Sequence, residues 1–280
     1  VTSGFQFVFI TFFLFVLSLQ TIAAPTCRNL FQKLSLTDMI DHHSLEQYRL
    51  AEIQNLTPQE IRLKNTETLD RVESIVPDTK SDRAQTISLE NATALIPYVY
   101  NHEVTGFNAN KKYSQQNVEI GYCFGRATFI HLLLLKMGLQ KQSIVKVWAV
   151  GQMDAGGIQW GFHVATAAFV KDKGWMVIDT NEQRPFTMRE WFNKFQGMNS
   201  DGKLRFYITE PSRFAVDIKK YNRLQMGLDL ERESDWYKHY FRDLVASIAN
   251  KSTTDLGNPL LTSVPKVEKD KFNIIDCLGL

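Results

Sequence analysis

Three residues in the middle of the chain have the side chains of a nucleophile and its two helpers: Cys123, His163 40 residues later, and Asp179 16 beyond the histidine. Cys123 opens a run in which Phe124, Ala127, Ile130, Leu134 and Leu135 recur at helical spacing, so the pattern predicts a buried helix over 123–137, stopped by Gly138. A thiol on the first turn of a helix feels the positive end of the peptide dipoles, which favours the thiolate. An imidazole beside it would hold that thiolate as an ion pair and later protonate a leaving group, while a carboxylate on the other ring nitrogen would orient the ring. Each residue alone has a plainer explanation: a buried cysteine is usually an inert small hydrophobe, and a strand histidine a satisfied core group. Their order and placement speak for chemistry, with the thiol at a helix start and the base and its orienter on consecutive strands.

The elements that must position the three read as α+β. Ile144 to Val150 is a β-branched strand ended by Gly151, and the glycine-rich GQMDAGG after it reads as a flap over a cleft. Trp160 to Val170 and Trp175 to Ile178 flank Lys171-Asp172-Lys173-Gly174, a hairpin signal. A two-residue turn at Asp172-Lys173 would set Asp179 opposite Thr166 and not His163, so a bulge, a longer loop or a reaching carboxylate is required. Ala165 and Ala167 share the face of His163, and their small side chains would admit the Cys123 helix there. Thr187 ahead of Glu190 is a capping box for a helix holding Trp191, Phe192 and Phe195. Asp235 to Ala249 reads as an amphipathic packing helix. Thr57-Pro58 starts a helix that Pro77 closes.

The 280 residues carry 32 basic and 30 acidic groups and 44% apolar side chains, which fits a folded core and gives no pull toward nucleic acid. Residues 1–24 read as a secretory leader: Phe7 to Leu19 is an apolar run too short to span a bilayer, followed by the small residues Ala23 and Ala24. The expected location is therefore secreted or periplasmic, with no membrane attachment after leader removal. Residues 25–88 form a polar, helical N-terminal region, either a removable pro-region or an integral part of the fold, with the linker-like stretch 78–88 at its end; residues 89–280 form the domain with the chemistry. Of three cysteines, Cys27 and Cys277 lie near the ends and would form a bridge if the termini meet, leaving Cys123 free.

The segments GYCFGRA, WGFHVATAAF and WMVIDTNEQRPFTMREWF resemble the core of the transglutaminase-like, papain-fold superfamily, most closely the bacterial secreted protein-glutamine glutaminases, over roughly residues 95 to 196. The resemblance implies a papain-like core, a buried helix carrying the cysteine packed on an antiparallel sheet, with flanking helices. It implies Cys123 as nucleophile, His163 as general base and acid, Asp179 as orienting carboxylate, and deamidation of protein-bound glutamine to glutamate with release of ammonia. Partners would be proteins with exposed glutamine side chains. Where the family has proline after its Ile-Asp pair, Thr180 stands here, so the loop beside the site differs.

An oxyanion needs donors, for which the backbone N–H of Cys123 and the side chain of Gln116, or of Gln115 or Asn117, are candidates. Trp160 is a candidate wall for the acyl pocket or a hydrophobic anchor. Arg126 would favour thiolate or tie down a loop, and His131 lies two turns along the helix, too far to serve the thiol. The reaction asks for no metal or cofactor, and His42-His43 lacks ligand spacing. A transglutaminase, another papain-fold acyltransferase or peptidase, and a secreted binding protein on the same scaffold remain as alternatives.

Overall fold

The computed structural model describes residues 39–77, 84–113, 122–221 and 239–250. The leader, Cys27, Cys277 and Gln115 to Asn117 lie outside these residues. No helix among them is long and apolar enough to cross a membrane.

The chain is α+β. Helices α1 (Leu45–Ile53), α2 (Pro58–Glu73), α3 (Leu89–Tyr100), the short α4 (Asn110–Tyr113) and α5 (Cys123–Lys136) precede strands β1 (Ile144–Ala155), β2 (Ile158–Val170), β3 (Gly174–Ile178) and β4 (Phe186–Thr187). Helix α6 (Met188–Gln196), strand β5 (Arg205–Thr209) and helix α7 (Tyr240–Asn250) follow. The strands form one antiparallel sheet in the order β4-β3-β2-β1-β5.

Helix α5 is apolar on nearly every side because it is covered on every side. It lies on the sheet face of Ile144, Trp148, Val164, Ala168 and Ile178, beside α3 and α7. The opposite face, with Val145, Val147, Ala149, Ala165, Ala167 and Val177, packs on Trp191, Phe192 and Phe195 of α6 and on Leu69 and Val72 of α2. The face expected to receive the Cys123 helix is therefore the α6 face, and α5 occupies the other one, where Thr166 Oγ1 donates to the carbonyl of Ala127 at 2.7 Å.

Of two hairpins, one takes the longer loop, among the required alternatives, and one departs from expectation. The β2–β3 loop has three residues, with Val170 paired to Gly174, and Asp172 takes a left-handed backbone at φ 60°. Thr166 then pairs with Ile178, so Asp179 comes level with Ala165, on the face of His163. A two-residue turn would have put it on the opposite face. The glycine-rich run is not a flap: β1 and β2 continue through it to a two-residue turn at Gly156-Gly157 (φ 63° and 85°), with a register shift between Val150 and Met153. This extension is tied down, with Asp154 N–H donating to Met198 O and Asn199 Nδ2 to Gln152 O.

The N-terminal helices are built into the sheet. Edge strand β5 is covered by α2, whose buried Asn65 donates Nδ2 to Leu204 O at 2.9 Å and accepts the N–H of Phe206 at 3.0 Å. Glu52 of α1 receives Arg205 at 2.9 and 3.0 Å and the hydroxyl of Tyr207 at 2.8 Å. Ile40 N–H reaches Ile208 O at 2.9 Å. Of the linker-like stretch, residues 84–88 belong to the core: Ala84 bridges Leu139 and Ile87 bridges Val170. The expected capping box of Thr187 with Glu190 forms, and Thr57 makes a second one with Glu60 at the start of α2.

Candidate active site

Helix α5 begins abruptly. Tyr122 before it has a left-handed backbone (φ 64°, ψ 6°) and its side chain caps nothing, so the chain turns sharply into Cys123. The ring of Tyr122 is held by that of Tyr240, centroids 4.9 Å apart. The main-chain N–H of Val164, on the stretch of β2 that runs past the end of β3, bonds to the sulfur. Cys123 and His163 therefore meet although they belong to opposite faces of the sheet: α5 begins where β3 stops and leaves β2 uncovered on that side.

His163 lies between sulfur and carboxylate. Its Nε2 donates to Asp179 Oδ2 at 2.7 Å, which leaves Nδ1 to make the hydrogen bond with Cys123. Asp179 is buried, and its other oxygen accepts the N–H of Asn181 at 3.0 Å. Oδ2 also accepts the indole N–H of Trp191 at 2.8 Å. The ring of Phe195 stacks on the imidazole, centroids 4.6 Å apart and planes 26° apart.

Burial alone would push all three groups toward their neutral forms, and mutual charge overrides it. Burial raises the Cys123 thiol, yet the hydrogen bond and charge of His163, the charge of Arg126 and the Val164 N–H bring it below the ordinary thiol range. Burial lowers the imidazole, but the charge and hydrogen bond of Asp179, with those of Cys123, raise it to about 10. Asp179, also opposed by burial, is held well below the usual carboxylate range by His163, Trp191 and the Asn181 N–H. The direction of all three shifts favours a thiolate–imidazolium pair anchored by a carboxylate, the protonation pattern suited to attack on an electrophilic carbon and to protonation of what leaves it.

The other candidates are more dispersed. Trp160 lies on the twisted extension of β2 opposite Met153, part-buried against the α6-side cluster. Arg126 both favours the thiolate and reaches Asn181 Oδ1 at 3.5 Å, tying α5 to the loop after Asp179. His131 points into the core and bonds Tyr221. Trp191 and Phe195 were not anticipated as site residues. Their spacing of four on one helix face was visible, but apolar aromatics at that spacing read as core.

A scan against protein-family models matches the glutaminase family over residues 92–195. No curated protein matches the sequence. A crystal structure of a mutant of pro-protein-glutaminase is similar at 16% identity, covering 74% of this chain and 73% of its own, with a TM-score of 0.35. The matched stretch, residues 92–195, holds the cysteine, the histidine and the carboxylate alike, so the chain is similar to the glutaminase family over the part that carries the candidate site.

Proposed function

We propose that the protein is an exported protein-glutamine deamidase in which Cys123 is the nucleophile, His163 the general acid and base, and Asp179 the orienting carboxylate. One observation carries this reading: the imidazole is bonded to the sulfur on one side and the carboxylate on the other, inside the glutaminase-matched region. The thiolate adds to the side-chain amide carbon of a protein-bound glutamine, the C–N bond breaks, and ammonia leaves with a proton from His163. Water, giving a proton to the now neutral imidazole, attacks the thioester; the C–S bond breaks, glutamate forms and the thiolate returns. The backbone N–H of Cys123 faces the developing oxyanion, with Gln116 as second donor and Trp160 as a wall of the acyl pocket.

Residues 39–77 belong to the working enzyme and are not a removable pro-region. The support is the closure of β5 by Asn65 and the ion pairs of Arg189 on α6 with Asp70 and Glu73 of α2 at 2.6 and 3.1 Å. The decisive experiment combines intact mass with an ammonia assay on a glutamine-rich protein, with wild type and Cys123→Ala. A gain of about one mass unit per ammonia released, without added amine and abolished in the variant, is expected. Backbone fragments would indicate a peptidase, and mass change only with an amine donor a transglutaminase.

A further inference from the structure

We infer that Trp191 is a positioning residue for the reaction, and that helix α6, through Trp191 and Phe195 one turn on, sets the mutual geometry of Asp179 and His163. The inference rests on the catalytic reading above. Register alone does not bring the two partners together: Asp179 is level with Ala165, and His163 is the next residue along on the same face. The carboxylate must lean along the sheet to reach the ring, and a donor has to hold it there. Trp191 supplies that donor to Oδ2, the oxygen that His163 uses, while Asn181 N–H holds Oδ1. Each oxygen is thereby assigned, and the carboxylate cannot rotate without losing a charge-assisted bond.

The indole itself has little freedom. Trp191 is fully buried, its ring against Phe195 at 4.8 Å and Phe206 at 6.4 Å. The start of α6 is fixed by the Thr187–Glu190 box, and its flank is tied to α2 by Arg189. Phe195 lies on the imidazole, so the helix that aims the carboxylate also limits the tilt of the ring. A buried indole N–H needs an acceptor in any case; Trp148 and Trp175 take a threonine hydroxyl and a main-chain carbonyl, whereas Trp191 takes the carboxylate oxygen that His163 uses.

The test is a double-mutant cycle of Trp191→Phe and Asp179→Asn, read as kcat, KM and the rate of Cys123 alkylation by iodoacetamide. Trp191→Phe keeps an aromatic ring and removes the N–H. In the wild-type background it is expected to lower kcat at least tenfold with KM within about twofold, and in the Asp179→Asn background to cost less than about twofold more. Equal losses in both backgrounds, or no loss in the first, would overturn the inference. A second arm needs only wild type and Asp179→Asn: with 15N-labelled indoles, the Trp191 N–H resonance should follow the titration of His163 and move in Asp179→Asn. A resonance indifferent to both overturns it, even if the variant fails to fold. Should wild type release no ammonia from any glutamine protein, the catalytic reading fails and the indole arm alone decides the positioning role.

Discussion

Tyr240 of α7 occupies the space that a side chain at position 125 would need: a Cβ on Gly125 would lie 2.4 Å from the Tyr240 ring and 2.5 Å from its hydroxyl. Gly125 is two residues from Cys123, so α7 packs directly on the first turn of α5. Gly125→Ala must displace an aromatic ring held by Tyr113, Tyr122 and Phe241, not the tip of a flexible chain. The expected cost is about 2–3 kcal/mol, seen in thermal unfolding, with a slower alkylation of Cys123 as the helix start shifts. Wild-type stability in the alanine variant would mean that α7 does not sit there.

The same tyrosine offers the opposite experiment. Its hydroxyl is buried and has no hydrogen-bond partner among the described residues. Tyr240→Phe removes an unsatisfied polar atom and keeps the ring, so a gain of about 1 kcal/mol is expected, a melting temperature higher by roughly 2–4 °C. A lower melting temperature would show that the hydroxyl is bonded in solution.

Asn65 tests whether the N-terminal helices are structural. Its amide closes β5 through Leu204 O and the Phe206 N–H and also meets Arg205, all buried. Asn65→Ala strands these groups without partners, and a loss of about 3 kcal/mol is expected from denaturant unfolding. The mature active protein should retain residues 39–77 by intact mass. Full activity after their proteolytic removal would return them to the role of a pro-region.

These results show where the sequence was readable. Cys123, His163 and Asp179 stood out because a thiol at a helix start and two polar groups in apolar strands are chemically conspicuous. The loop between their strands was not, since Lys171, Asp172 and Lys173 suit a two-residue or a three-residue turn, and only the left-handed Asp172 with Gly174 (φ 76°) decides for the longer one. Nor was the face that receives α5: both sides of β2 are small or apolar, Val164 and Ala168 on one and Ala165 and Ala167 on the other, as in any sheet covered twice. The partnership of Asn65 with Leu204, 139 residues away, leaves no local signature in a polar helix.

Stability should report the carboxylate–imidazolium pair through pH. His163, raised from 6.5 to about 10, contributes stability that is complete below 6.5 and is lost as pH rises to about 10. Asp179, lowered from 3.8, contributes above that value and loses its contribution as pH falls below it. The gap in unfolding free energy between wild type and Asp179→Asn is therefore expected to be widest between 3.8 and 6.5 and to narrow on both sides. A gap that widens from neutral pH toward 10 would contradict a charged imidazole in the folded protein.

Reactivity separates the proposed roles of Cys123 and His163. Alkylation needs only the thiolate, which forms below the ordinary thiol range because His163 and Arg126 outweigh burial. Its rate should rise through that lowered value and then stay flat. Deamidation also needs the imidazolium to protonate ammonia, so kcat/KM should fall again as pH passes about 10, where His163 loses its proton. In His163→Ala the largest partner holding the thiol down is gone, and only Arg126 and the Val164 N–H still oppose burial, so the thiol is expected to rise. At pH 7 alkylation of that variant should slow by at least tenfold, since each unit of thiol pKa removes a tenfold fraction of thiolate. Iodoacetamide rates that match wild type at pH 7 would mean that the helix start and Arg126 alone ionise the sulfur, and that His163 acts on the leaving group without activating the nucleophile.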